Sequence, residues 1–146
     1  MTEILIKRLS DNVSLPKYET EGSSGMDLAA NINENIELKP GATAIVPTGI
    51  SVCIPKNFEI QIRPRSGLAA KNNISVLNTP GTIDSDFRGE LKVILINLGN
   101  KSFLIENEAR IAQMVLCPIV KAKFKEVKIL EGTKRGSGGF GSTGTK

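Results

Sequence analysis

The residues best suited to chemistry gather near the C-terminal end. Arg135-Gly-Ser-Gly-Gly-Phe-Gly-Ser-Thr-Gly144 holds five of the 14 glycines. Arg135, Ser142 and Thr143 are good phosphate partners, a guanidinium beside hydroxyls. Phe140 stands alone among small residues. Gly136, Gly138 and Gly141 match G-x-G-x-x-G. The dinucleotide fingerprint needs a strand before these glycines and a helix after them. Only five residues follow Gly141, so the match is read as accidental. Gly136 and Gly141 also fit the start of a phosphate-loop pattern, but Ser142 stands where Lys is required. What remains is a glycine-rich segment whose backbone N–H groups could wrap an anion without a helix. With no core-forming pattern, it is expected to be mobile when free.

Other chemistry is excluded by absence. The 146-residue chain has no His, which removes His-dependent triads, His-ligated zinc and imidazole acid–base catalysis. A hydrolytic base must then be Asp, Glu, Lys, Tyr or Cys. Cys53 and Cys117 are too few for a four-thiolate metal site or a disulfide framework. Both sit in apolar runs and are expected to be buried free thiols in a reducing compartment. Met1–Leu9 alternates apolar and polar residues instead of forming a signal-peptide block. No apolar run approaches the ~20 residues of a membrane helix. A cytoplasmic setting is the resulting expectation, with no membrane partner.

The net charge of +4 is unevenly placed. Residues 1–120 hold 12 Lys/Arg against 13 Asp/Glu, and residues 121–146 hold 7 against 2. The surplus lies wholly in the C-terminal segment and suggests an anionic partner.

Strands must position these groups. Phe58–Arg63 alternates with period two, as a half-buried strand should, and Thr2–Lys7 does so approximately. Leu91–Ile96 and Met114–Val120 are more continuously apolar, which suits burial on both faces. Ala42–Ile54 is rich in Val, Ile and Thr and is punctuated by Pro47 and Gly49. Pro-Gly at 40–41 and 80–81 and Leu-Gly-Asn at 98–100 are turn signals. Turns at such intervals imply an all-β sandwich, barrel or jelly roll. One short helix is expected around Ser66–Asn72.

Five segments, in order, resemble those of the homotrimeric all-β deoxyuridine triphosphate nucleotidohydrolases (dUTPases). They are Ser24-Gly-Met-Asp-Leu-Ala-Ala30, Pro64-Arg-Ser-Gly-Leu-Ala-Ala-Lys71, Asn78-Thr-Pro-Gly-Thr-Ile-Asp-Ser-Asp-Phe-Arg-Gly-Glu90, Glu108-Ala-Arg-Ile-Ala-Gln-Met114 and Arg135–Gly144. The resemblance implies a distorted jelly-roll or barrel-like sandwich over residues 1–130, followed by a flexible lid at 131–146. It also implies a homotrimer with shared active sites and Mg²⁺-dependent conversion of dUTP to dUMP and pyrophosphate. That reaction keeps uracil out of DNA and supplies dUMP for dTMP synthesis.

The resemblance carries roles residue by residue. Asp84 matches the water-activating carboxylate and lies in an expected hairpin from Gly81 to Gly89, while Asp86 is structural. Asn78 matches the uracil-reading amide, which offers both donor and acceptor. Main-chain groups of Gly81, Thr82 and Ile83 would complete an imitation of base pairing. Phe87, where the family usually has Tyr, would pack under the deoxyribose and exclude a 2′-hydroxyl. Arg65, Ser66 and Gly67 precede the expected helix and form the phosphate-facing part of their segment, Ser66 near the scissile bond and Arg65 on either the phosphates or the neighbouring subunit. Gln113 and Lys92 are further substrate contacts. Asp27 matches a motif carboxylate tied to the metal's water shell or to subunit contacts. Mg²⁺ itself is expected to rest on phosphates and waters. In the tail, Phe140 would stack on uracil and Arg135 would pair with the terminal phosphate. Gly141, Ser142 and Thr143 would add contacts as the segment closes like a lid.

Two other readings stand beside this one. A dCTP deaminase of the same fold would share the strands and trimer, but Arg65-Ser-Gly67 and the complete fifth segment favour the hydrolase. A non-enzymatic nucleic-acid-binding jelly roll would use the basic tail. Such platforms interleave aromatics with basic residues, and only Phe124 and Phe140 lie in that segment. No stable nucleic-acid partner is therefore expected.

Overall fold

The computed structural model describes residues 2–142 and 144. Ten strands and one helix follow in order: β1 Leu5–Arg8, β2 Met26–Ala29, β3 Ile36–Leu38, β4 Thr43–Cys53, β5 Phe58–Arg63, α1 Ser66–Asn72, β6 Ile74–Val76, β7 Gly81–Ile83, β8 Glu90–Asn97, β9 Phe103–Ile105 and β10 Arg110–Pro118. They form two four-stranded antiparallel sheets, β1-β4-β8-β6 and β2-β10-β5-β7, with a two-stranded sheet β3-β9. This is the expected all-β, jelly-roll-like architecture, with no closed barrel among the described strands.

Period-two patterning explains the packing. On β5, Ile60 and Ile62 are buried while Glu59, Gln61 and Arg63 are half-exposed on the other face. Leu91, Val93 and Leu95 of β8 and Val46, Ile50 and Val52 of β4 fill the same core, with Leu28, Ile111 and Met114. Each such side chain contributes about 1.5–3 kcal/mol through removal from water. The apolar run of β8 is not buried on both faces as expected. Lys92 is exposed, and Ile94 and Ile96 are only half-covered. β1 departs further: all four of its residues are exposed. It is an edge strand paired only with β4.

Polar groups inside are satisfied. Asn97 is fully buried; its Nδ2 donates to the Leu38 and Lys101 carbonyls at 2.8 Å, and its Oδ1 accepts from Gly99 N–H at 2.9 Å. One side chain thus ties β8, β3 and the following loop together. β4 carries a register shift between Pro47 and Ser51. Pro47 cannot donate to a ladder, and Gly49 adopts φ +70°, so the strand bends where its sequence demands it.

Two local expectations change. The stretch Gly81 to Gly89 is not a hairpin, because β7 pairs with β5 whereas β8 pairs with β4 and β6. The loop after Ile83 crosses from one sheet to the other. The thiols Cys53 and Cys117 are free but half-buried rather than buried. The helix falls on Ser66–Asn72 as expected and ends at Asn73, whose φ of 56° forms a left-handed cap. No residue of α1 is fully buried. Beyond Pro118 no helix or strand follows among the described residues.

Candidate functional site

Strand register gathers the first group of site residues. Asp27 of β2 lies opposite Gln113 of β10, which lies opposite Arg63 of β5. Cross-strand partners share a face, so Asp27 and Gln113 stand side by side on the outward face of this sheet. The Gln113 amide donates from Nε2 to the Pro64 carbonyl at 3.0 Å. A Cβ on Gly25 would collide with Gln113 Oε1, so Gly25 is what makes room for that amide. Pro64 leads into Arg65, whose Nε donates to Asp27 Oδ1 at 2.9 Å. Arg65 is the N-cap of α1 and its side chain makes no capping bond. The ion pair with Asp27 therefore sets its direction. The Asp27 side chain is 20% exposed, placing the pair above the weak, fully solvated class. Ser66 and Gly67 follow directly and are exposed.

The second group lies on the far side of β5. Gly81 pairs with Ile62 and Ile83 with Ile60. The Asn78 amide rests against Gly81, where a Cβ would come within 3.0 Å of Nδ2. Thr82 is exposed and Ile83 half-buried. Asp84 and Asp86 are exposed. Phe87 N–H donates to the Asp84 carbonyl at 3.1 Å, closing a turn that fixes the Asp84 backbone. Arg88 Nη1 caps the same loop on the Ser85 and Phe87 carbonyls at 2.7 and 2.8 Å. The Phe87 ring lies over Gly89, whose Cβ would stand 2.6 Å from Phe87 Cζ. Phe87 is 41% exposed.

Three other expectations fall elsewhere. Lys92 stands on the other sheet, 3.8 Å from Glu90. In the tail, Arg135 Nε donates to the Gly138 carbonyl at 2.8 Å, and Ser142 N–H donates to the Gly139 carbonyl at 3.0 Å. These bonds stay within the segment, and Phe140 is fully exposed. Gly141 has φ +83°. Thr143 lies outside the described residues.

One residue escaped the sequence reading. Arg110 Nη1 donates to Asp27 Oδ2 at 3.1 Å and lies 4.0 Å from Glu19. Its signal was present in Arg110-Ile-Ala-Gln113, but three residues along a regular strand point to opposite faces. A register shift between Arg110 and Ala112 reverses that parity.

A cavity of about 360 Å³ opens beside this cluster, lined by Leu15, Glu19, Asp27, Leu28 and Arg110 among others. Asn78, Asp84 and Phe87 do not line it. Among the described residues no group of three or more Asp, Glu, Cys or His side chains could hold a metal. Asp27 is a single carboxylate with each oxygen already on a guanidinium. This donor set cannot cage a cation. It fits one carried in by an oxyanion ligand and reached, if at all, through water.

Comparison with known proteins identifies the family. The family model described as dUTPase matches residues 11–144. A deoxyuridine 5'-triphosphate nucleotidohydrolase of Fusobacterium nucleatum subsp. nucleatum is 55% identical over 145 residues, 99% of both chains. The enzyme of that name from Brucella melitensis biotype 2 is 58% identical over 135 residues, 91% of this chain and 86% of its own. Among solved structures, a Staphylococcus bacteriophage 80alpha dUTPase mutant with dUpNHpp superposes with a TM-score of 0.89 at 25% identity, covering 99% of this chain and 100% of that one. A phage phi11 dUTPase mutant, described with a structural Mg(II) ion, shares the fold with a TM-score of 0.79 at 21% identity, covering 88% of this chain and 98% of its own. The chain belongs to the dUTPase family.

Proposed function

We propose that this chain hydrolyses dUTP to dUMP and pyrophosphate, with Asp84 activating the attacking water. Attack on the α-phosphate needs a base in line with the leaving pyrophosphate. With no His in the chain, a carboxylate is the natural base. Asp84 is exposed, and its backbone is fixed by the turn to Phe87. Asn78 and the main chain of Gly81, Thr82 and Ile83 would read the uracil edge. Phe87, partly exposed, would carry the deoxyribose. Arg65, Ser66, Gly67 and Gln113 would hold the phosphates, and Lys92 would lie at the margin. When bound, Mg²⁺ would neutralise phosphate charge from within the substrate's own oxygens and waters.

The observation that carries this reading is a separation. Asp84 follows Ile83, which pairs with Ile60. Ser66 lies three residues beyond Arg63, the other end of β5. Ile60 to Arg63 alone is about 10 Å of strand. In one chain the proposed base and the proposed phosphate face therefore leave β5 at opposite ends. Two chains of a homotrimer would bring them together, and a third would supply Arg135, Phe140, Gly141, Ser142 and Thr143. Support for assembly comes from surfaces left bare in one chain. β1 is exposed throughout, and Phe124, Ile129 and Leu130 in the tail are almost fully exposed. A cytoplasmic setting fits two free thiols. No helix among the described residues is long and apolar enough to cross a membrane.

The test is pyrophosphate release from dUTP, dTTP, dCTP and UTP, with and without Mg²⁺, for the wild type and Asp84→Asn. Expected is dUTP-selective turnover that falls by about 10²–10⁴ in the variant. Equal rates for Asp84→Asn would remove Asp84 as the base, and ammonia release from dCTP would favour a deaminase.

A further inference from the structure

Arg88 lies within the third motif segment but takes no part in the site as read from the sequence. Its place in the structure is specific. Residues 84–89 cross from one sheet to the other and belong to no strand. Phe87 N–H donates to the Asp84 carbonyl at 3.1 Å, which closes a β-turn over Ser85 and Asp86. Arg88 Nη1 donates to the Ser85 carbonyl at 2.7 Å and to the Phe87 carbonyl at 2.8 Å. Among the described residues no other donor reaches either carbonyl. Among them, too, Arg88 forms no ion pair with Asp84, Asp86 or any other carboxylate. A cation two residues from Asp86 and four from Asp84 therefore binds main chain instead of either side chain.

The Ser85 carbonyl belongs to the central peptide of that turn. Rotating the central peptide interconverts type I and type II turns, and type II needs a positive φ at the third residue. Here the third residue is Asp86, a type that tolerates the left-handed region, and its φ is not positive. A donor on the Ser85 carbonyl holds the central peptide against that flip. The Phe87 carbonyl belongs to the peptide that follows the ring-bearing residue. One guanidinium nitrogen thus clamps the peptides at both ends of the Asp86–Phe87 unit. We propose that Arg88 is a positioning residue for the hydrolysis: by bridging the Ser85 and Phe87 carbonyls it fixes the directions of the Asp84 carboxylate and the Phe87 ring together. This role rests on the proposed parts of Asp84 as base and Phe87 as sugar platform. It also leaves the base free. A guanidinium on the Asp84 carboxylate would occupy lone pairs that must take a proton from water. With Nη1 on the main chain, Arg88 orders the loop without blocking the base.

The experiment uses the full chain and steady-state pyrophosphate release from dUTP and from UTP. Arg88→Met keeps an unbranched stem and removes the donor. Its kcat for dUTP is expected to fall about tenfold, since misplacing a reacting group costs on that order or more. The ratio of kcat/KM for dUTP over UTP should fall at least about fivefold in the same variant. A smaller folded fraction would slow both substrates equally, so this ratio separates positioning from stability. Arg88→Lys keeps a donor for the carbonyls and should recover both values to within about twofold of wild type. It also serves if Arg88→Met fails to fold. In an Asp84→Asn background Arg88→Met should cost little further kcat, and in a Phe87→Ala background little further discrimination, because it acts through those residues. An unchanged kcat or an unchanged dUTP/UTP ratio in Arg88→Met would overturn the proposal. So would a Lys variant no better than Met, or fully additive losses in the double variants. Asp84→Asn and Phe87→Ala alone keep the two readings apart. If they lose turnover and discrimination while Arg88→Met keeps both, the brace alone fails. If they lose neither, the reading of Asp84 and Phe87 fails with it.

Discussion

Asp84 and Ser66 leave the strand pair β5–β7 at opposite ends. β5 runs upward into Arg65 and Ser66, and β7 runs antiparallel to it, ending in Ile83 beside Ile60. Antiparallel pairing thus carries the Asp84 carboxylate away from the start of α1. A shared site makes a specific demand of mixed assemblies. Asp84→Asn and Ser66→Ala chains should each have little activity alone. Refolded together in equal amounts, they should regain about a quarter of wild-type turnover, since one interface in four would join two intact halves. Pyrophosphate release from the mixture measures this. No gain over the separate variants would place the whole site within one chain.

Gly25 and Gln113 offer a second test, one atom in size. The Gln113 amide fills the space a Cβ on Gly25 would need, and it donates to the Pro64 carbonyl. In Gly25→Ala the methyl must displace the amide. Turnover should fall about tenfold, since misplacing a positioning group costs on that order or more. The Tm should change little, because Gln113 is half-exposed and its loss opens no core cavity. Gln113→Ala should reproduce the kinetic loss, and adding it to Gly25→Ala should cost little more. Unchanged turnover in Gly25→Ala would show that this amide does not matter to the reaction.

Phe87 and Gly89 are coupled in the same way. The ring covers Gly89, and a Cβ there would stand 2.6 Å from Cζ. Gly89→Ala should push the ring toward the sugar position, and Phe87→Ala should remove it. The ratio of kcat/KM for dUTP over UTP is the readout. It should fall by about tenfold or more in Phe87→Ala, because a packing surface discriminates by roughly 1–3 kcal/mol. An unchanged ratio would leave Phe87 with no part in excluding the 2′-hydroxyl. Phe87→Tyr restores the family's usual residue and shows what the missing hydroxyl contributes.

The sequence was most legible where period and propensity agree. Phe58–Arg63 and Ser66–Asn72 emerge with the expected bounds, because alternation and good helix formers leave little choice locally. It was least legible where pairing decides. Gly81 to Gly89 looks like a hairpin by its turn residues, but β7 finds its partner in β5, at long range. β8 looks buried on both faces, yet Ile94 and Ile96 stay half-open in one chain. That uncovered face is one that assembly could close. Arg110 is the clearest case at the site itself. Arg-x-x-Gln on a regular strand separates the two side chains, and only the bulge at Ile111 reunites them. Bulges follow from the fit of neighbouring strands, which local pattern does not reveal.

The tail gives the last test. From Arg135 to Ser142 the backbone is held by short turns of its own, such as Gly138 N–H to the Arg135 carbonyl at 3.1 Å. Arg135 spends its Nε on Gly138, and Phe140 faces solvent. Nothing in the core depends on these contacts, so deleting residues 135–146 should leave Tm and oligomer size unchanged. Turnover of dUTP should nevertheless fall by about 10²-fold or more, because the proposed closure over the nucleotide would exclude water and bring Arg135 to the phosphates. Phe140→Ala should produce a milder loss, on the order of tenfold, by removing one stacking surface worth about 1–3 kcal/mol. Adding back a peptide of residues 131–146 in excess should not restore the rate, since the covalent link supplies an effective concentration in the millimolar range. Calorimetry, size-exclusion chromatography and pyrophosphate release separate these outcomes. Full turnover by the truncated chain would exclude the segment as a lid.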